Sequence, residues 1–149
     1  IGVPGKVPLP LKRMAAYMAS RSSGCQYCSA HTAESATAVD GVSSEKIAAI
    51  WSYESSDLFS DSERAVLRMA QGAGVSPNAV SDEDMENLHK HFDDDQIVEL
   101  VAAVCLFGWL NRWNDTMATD LEPRPLEFGL STLAESGWVP GKHAPAGDE

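Results

Sequence analysis

The longest apolar run of the chain lies between Ile97 and Leu110 and is broken once, by Glu99. It is shorter than the roughly 20 residues that cross a bilayer. Its apolar residues fall on nearly every face of a helix, so it reads as the buried helix in the middle of a helical bundle. Asp93, Asp94 and Asp95 stand just before it, where the helix dipole favours negative charge, and the helix is expected to continue to about Met117. A helix of this kind must be surrounded, and the rest of the sequence supplies the partners.

Pro10 suits a first helical turn, and LKRMAAYMASRSS after it places Leu11, Met14, Ala15 and Met18 at helical spacing before Gly24 stops the helix. A second helix is expected from Gln26 to about Val39, with Asp40 and Gly41 as its stop. Ser43 can cap a third through Ile47, Ile50 and Trp51. Ser60 and Glu63 form a capping box that opens a fourth, with Ala65, Val66, Met69 and Ala70 on its inner face. The segment GAGVSPNAV reads as a loop, Ser81 to Asp84 caps a short helix ending near His91, and after the loop LEPRP a last helix is expected from Leu126 to Glu135, followed by a polar tail. Without an alternating strand pattern or an internal repeat, the expectation is one all-α domain over residues 1–149.

Charge limits the partners. The chain has 149 residues, 11 Lys plus Arg against 22 Asp plus Glu, and a net charge of −11. Neither nucleic acid nor an anionic membrane surface is an expected partner for such a chain. The start IGVPGKVPLP lacks the features of a signal peptide, so a cytoplasmic location is the expectation. The charge is also uneven, because residues 1–33 hold Lys6, Lys12, Arg13 and Arg21 and no acid.

Two of the three cysteines sit in that positive segment, in GCQYCSAHT. Cys25 and Cys28 are three residues apart, so on a helix their sulfurs share a face and can approach disulfide distance. His31 is three further on and within reach of Cys28 as a proton acceptor. A cysteine at a helix N-terminus meets unpaired N–H groups and a positive dipole end, which stabilise a thiolate. The segment is therefore suited to be a reactive dithiol. The plain alternative is a pair of small buried hydrophobes. A structural zinc site would lack a fourth ligand, and haem attachment requires His where Ser29 stands. No metal and no cofactor are expected. A thioredoxin-type motif belongs to a strand and helix alternation that is missing here.

The sequence resembles the carboxymuconolactone decarboxylase and AhpD-like alkylhydroperoxidase superfamily. The resemblance rests on CQYCSAHT after an amphipathic helix, on FSDSERAVLRMA and DDDQIVELVAAV, on NRWND, and on GWVPGKH near the end. It implies an AhpD-like helical bundle that forms homo-oligomers, with the dithiol at a pocket near subunit contacts. It also implies that Cys28 attacks a peroxide, Cys25 resolves the sulfenic acid to a disulfide and His31 serves as base. Two positions depart from that pattern. The relay histidine of AhpD would fall on Thr32, and the glutamate expected twelve residues before Cys25 is Arg13, a cation that can stabilise a thiolate directly or simply lie on the surface.

Two function classes follow. One is a thiol-dependent hydroperoxidase or disulfide reductase, served by a small thiol or by a thioredoxin-like or lipoyl-bearing reductant. The other is non-redox chemistry of the carboxymuconolactone decarboxylase kind on a small anionic substrate, which a basic pocket around Arg13 and His31 would suit. The remaining candidates are assigned plainer roles. Cys105 is expected buried and inert, Trp109 and Trp113 to pack in the core rather than form a pocket wall, the alternative their spacing offers, His89 and His91 to be solvated, and His143 to lie in the tail, while Asn111 or Asp115 of NRWND approaches the pocket by the resemblance alone.

Overall fold

The structure is a computed structural model that describes residues 5–38 and 41–145. It is all-α, and the described residues contain no strand. Among the described residues seven α-helices follow in order: α1 (Leu9–Ser22), α2 (Gln26–Ala38), α3 (Ser44–Ala48), α4 (Asp61–Gly74), α5 (Asp82–His89), α6 (Asp94–Met117) and α7 (Pro123–Phe128). A 3-10 turn at Ala49–Ser52 extends α3, and after α7 the chain continues as a π turn (Gly129–Leu133) and two 3-10 turns (Ala134–Ser136 and Gly141–His143).

The starts of these helices follow from short polar motifs. Ser43 accepts a hydrogen bond from the Lys46 N–H at 3.2 Å, and Ser60 with Glu63, Ser81 with Asp84 and Asp93 with Gln96 each close a reciprocal capping box. Several boundaries differ from the sequence reading: the third and last α-helices end early, at Ala48 rather than Trp51 and at Phe128 rather than Glu135, and pass into the tighter or wider turns above. The fourth helix keeps Gly72 and Gly74, which were expected in the loop, because Gly74 passes so close to α1 that a Cβ there would stand 2.6 Å from the Ala19 carbonyl oxygen. The last helix starts at Pro123 rather than Leu126, since a proline at the first helical position loses no hydrogen bond. The expected stop at Asp40 and the last four residues of the tail lie outside the described residues.

The bundle does have a central helix, but it is α1. Leu11, Met14, Ala15, Tyr17, Met18 and Ala19 are buried there, and the helix packs against α2, α4 and α6. The apolar helix α6 lies on that core with Ile97, Leu100, Ala103 and Val104 and turns its other side outward. Val98, Leu106, Trp109, Trp113 and Met117 are exposed along it, and so is Cys105, contrary to the expectation that these residues pack inside. An all-round apolar pattern shows that a helix is to be covered on every side, but one chain covers only part of this one. Glu99, the charge that interrupts the run, accepts hydrogen bonds from the N–H groups of Lys6 (2.8 Å) and Val7 (3.2 Å) and pairs with the buried Lys12, which ties the N-terminal segment to α6.

The tail is not a solvated appendage. Trp138 and His143 are buried, and the Trp138 indole N–H donates to the Gln26 carbonyl at 3.1 Å, so the segment after α7 folds back over the start of α2. Gly129 permits this, since a Cβ there would stand 2.4 Å from the Trp138 ring.

Candidate active site

Cys25 occupies the position of an N-cap residue of α2, because its carbonyl accepts the first helical hydrogen bond, from the Ser29 N–H at 3.0 Å. A capping side chain reaches the N–H three residues on, and the Cys25 sulfur does so, accepting from the Cys28 N–H at 3.3 Å. The CxxC spacing is thus also the capping spacing. It sets the first sulfur on an unpaired backbone donor and brings the second beside it. Both cysteines are buried, at 1% and 3% exposure, and both are free thiols.

The two sulfurs are not equivalent. The Cys28 thiol and backbone N–H both donate to the Cys25 sulfur and pull its pKa down, against the desolvation of the site. The Cys28 thiol is pushed up, first because it gives its hydrogen bond to Cys25 and then by burial. Within the pair, loss of a proton is therefore favoured at Cys25 over Cys28. Of the nearby charges, Asp115 raises both thiols, and Lys142 favours the Cys25 thiolate.

Groups from the C-terminal third complete the site. The Asn114 side-chain N–H lies 3.6 Å from the Cys28 sulfur and opposes its upward shift. Its amide is held in that sense by Thr119, whose hydroxyl donates to Asn114 Oδ1 at 3.0 Å. Thr119 reaches back because Ala118 ends α6 in the left-handed region, at φ 49°. The Thr119 carbonyl meets His143 Nδ1 at 2.8 Å, and the Asp115 carboxylate lies 3.5 Å from His143 Nε2 and 2.9 Å from Lys142 Nζ.

One helical turn beyond Cys28, the His31 ring meets Glu122. The distance from Nε2 to the carboxylate is 2.6 Å, and the other carboxylate oxygen accepts from the Tyr27 hydroxyl at 3.0 Å. Tyr27 and His31 pack in a tilted arrangement, with ring centroids 4.3 Å apart and 38° between the ring planes. Burial, followed by the hydrogen bond to Glu122, pushes the Tyr27 phenol up to about 12. Partial desolvation acts the other way on Glu122, but its own backbone N–H and the bond from His31 keep its carboxyl below the usual carboxylate range.

Cys25, Cys28 and His31, singled out from the sequence, are thus gathered on one turn and a half at the start of α2. Asp115 borders the site, the position that the resemblance suggested for Asn111 or Asp115, whereas Arg13 sits half-buried on α1, and Lys142 is a cation that lowers the Cys25 thiol. Asn114, Thr119, Glu122 and His143 were missed. The first three come from far along the chain, and His143 had been placed in the tail. Among the described residues no cluster of three or more His, Cys, Asp or Glu side chains is arranged to hold a metal ion.

The carboxymuconolactone decarboxylase family profile matches residues 1–72, which includes the dithiol turn. The debrominase Bmp8 is similar in structure, with a TM-score of 0.78 and 30% identity over 82% of this chain and 65% of that one. In sequence over those first residues and in fold, the chain is similar to the carboxymuconolactone decarboxylase and AhpD-like superfamily. A cysteine-to-alanine form of Bmp8 has been solved in complex with 2,3,4-tribromopyrrole. A putative antioxidant defence protein AhpD from Agrobacterium tumefaciens shares the fold, with a TM-score of 0.69 at 22% identity over 75% of this chain and 77% of that one. Among curated relatives, the uncharacterized proteins YnjA of Escherichia coli (36% identical) and YdfG of Bacillus subtilis (27% identical) match 62% and 64% of this chain. The chain spans 50% of the first and 63% of the second. No described helix is long and apolar enough to cross a membrane.

Proposed function

We propose that the chain is a dithiol oxidoreductase in which Cys25 and Cys28 deliver two electrons to a small substrate, a hydroperoxide being the best supported, and close to a disulfide. The observation that carries this reading is the buried pair of sulfurs at a helix N-terminus, sharing one hydrogen bond, with the His31–Glu122 pair one turn away. As the resemblance implies, Cys28 makes the attack. Ionisation of the pair is favoured at Cys25 over Cys28, so for the attack the Cys28 proton passes to Cys25 or to the His31–Glu122 pair. The Cys28 thiolate then takes the distal oxygen of the peroxide as the O–O bond breaks, and the alkoxide leaves with a proton as the alcohol. Cys25 displaces hydroxide from the sulfenic acid, water departs and the disulfide forms. A small thiol or a thioredoxin-like or lipoyl-bearing protein restores the dithiol.

The similarity to a debrominase supports a second substrate class for the same two electrons. A carbon–bromine bond is cleaved, bromide leaves, a proton adds to carbon and the dithiol becomes the disulfide. The non-redox decarboxylase reading has less support, because Asp115 and Glu122 bring negative charge to the site that an anionic substrate would meet. We also propose that the protein works as a homo-oligomer assembled through the exposed apolar side of α6.

The test is to treat the reduced protein with one equivalent of cumene hydroperoxide and map its peptides by mass spectrometry. A Cys25–Cys28 disulfide formed with release of one equivalent of cumyl alcohol is expected. An unchanged thiol count would overturn the hydroperoxide reading, and bromide release from a brominated pyrrole by the same protein would select the second class.

A further inference from the structure

Two turns after α7 carry His143 into the protein. Gly137 and Gly141 take φ of 85° and 55°, in the left-handed region that favours glycine, and between them the buried Trp138 anchors the segment on the Gln26 carbonyl. His143 is 1% exposed. It faces Tyr27 of α2 at 5.9 Å between ring centroids and Asp115 of α6 at 3.5 Å from Nε2, while Lys142 turns to the other Asp115 oxygen.

From there His143 grips the chain just past α6 at two points. Its Nδ1 lies 2.8 Å from the Thr119 carbonyl, and because a carbonyl oxygen only accepts, the hydrogen of that contact belongs to Nδ1. The His143 carbonyl accepts from the Leu121 N–H at 2.9 Å. Thr119 is thereby fixed where Ala118 has turned the backbone out of the helix, and its hydroxyl donates to Asn114 Oδ1 at 3.0 Å. Of the two Asn114 amide hydrogens, one goes to the Leu110 carbonyl at 3.1 Å and the other is directed to the Cys28 sulfur at 3.6 Å. The sense of that amide matters. The terminal torsion of asparagine is broad and roughly two-fold, and half a turn would present the sulfur with an oxygen, which repels a thiolate.

We propose that His143 is a positioning residue for the Cys28 thiolate: by fixing Thr119 it keeps the Asn114 N–H turned toward the sulfur, so that Cys28 can ionise and attack. The inference rests on the dithiol reading above and adds what lets the second cysteine act beside the first. Cys25, burial and Asp115 all disfavour the Cys28 thiolate, and the Asn114 N–H opposes them. A residue 115 positions away in sequence thus supports the attacking sulfur through two intermediate side chains.

The test titrates Cys28 in the full chain carrying Cys25→Ser, by NMR of isotope-labelled cysteine Cβ, which needs neither a substrate nor a reagent that reaches the buried sulfur. The exposed Cys105 gives an internal control in the same spectrum. His143→Leu and Thr119→Val are each expected to raise the Cys28 midpoint by about one pH unit, the size of a lost hydrogen bond to a charged group, and to leave Cys105 unchanged. His143→Asn keeps a nitrogen donor on Cγ, where Nδ1 stands, and should retain the reference midpoint. On an Asn114→Leu background, which itself raises the midpoint, His143→Leu should add nothing further. Circular dichroism accompanies each variant, and Thr119→Val, which leaves the buried ring in place, decides the matter if His143→Leu does not fold. An unmoved midpoint in Thr119→Val, or a His143→Leu effect that persists in full on Asn114→Leu, would overturn the proposal. Equal shifts in His143→Leu and His143→Asn would overturn it as well and assign the effect to the charge facing Asp115. No peroxide or brominated compound enters the titration, so failure here is distinct from failure of the oxidoreductase reading, which the cumene hydroperoxide experiment decides.

Discussion

Trp113→Glu is expected to turn an assembled protein into a monomer. Trp113 is 56% exposed on α6 and stacks on Trp109 at 5.7 Å between ring centroids. Taking about 250 Å² for a free indole side chain, roughly 140 Å² of it remains in water in the single chain. At about 25 cal/mol per Å², covering that area contributes roughly 3.5 kcal/mol. A two-fold interface contains the residue twice, so the substitution removes about 7 kcal/mol, or about five orders of magnitude in Kd. Half that amount, if the ring is only partly covered, still weakens the dimer by more than about a hundredfold. The glutamate sits on an exposed face of a helix it favours, so the helical spectrum should not change. Sedimentation velocity at about 10 μM should show a large species for the wild type and a species near 16.0 kDa for the variant. A wild type that sediments as a monomer, or a variant that keeps the wild-type mass, would refute the reasoning.

Cys25→Ser removes the sulfur that raises the Cys28 thiol, so Cys28 should titrate at lower pH than in the wild type, followed by thiolate absorbance, and should still react once with peroxide and accumulate sulfenic acid. Cys28→Ser should not react in that way. The Glu122 carboxyl titrates below its ordinary value of 4.5, so its contribution to stability is complete above that pH and is lost as pH falls through the lower folded-state value; Glu122→Gln should flatten that limb of the urea midpoint plotted from about pH 3 to 6. Gly129→Ala forces a methyl into the Trp138 ring and should cost about 1–3 kcal/mol in chemical denaturation. Ala118→Gly relieves the left-handed φ of 49° and should stabilise the fold by about 1 kcal/mol, with a higher thermal midpoint.

Local signals in the sequence determined much of this architecture. Ser60 with Glu63, Ser81 with Asp84 and Asp93 with Gln96 interact within four residues, so the starts of their helices could be read directly. The dithiol turn was legible for the same reason, since capping and the CxxC spacing coincide at Cys25 and Cys28. Asn114 and Glu122 were not legible, because they come within reach of Cys28 and His31 only when segments 86 and 91 residues apart are packed together. The exposure of Cys105 and Trp113 was hidden by a different ambiguity. An apolar residue looks the same in sequence whether its own chain or another copy is to cover it.

The family profile ends at residue 72, and although His31 and Tyr27 lie within it, the other side chains around the dithiol, Asn114, Asp115, Glu122, Lys142 and His143, lie beyond that point. The reactive element and the groups that adjust it are therefore separable parts of one molecule, like a fixed electrode and an interchangeable electrolyte. Substitutions after α6 can change the proton supply, the local charge and the shape offered to a substrate while the capped turn keeps its geometry. On the dithiol chemistry proposed above, descendants of such a chain can exchange one electrophile for another without rebuilding the two sulfurs.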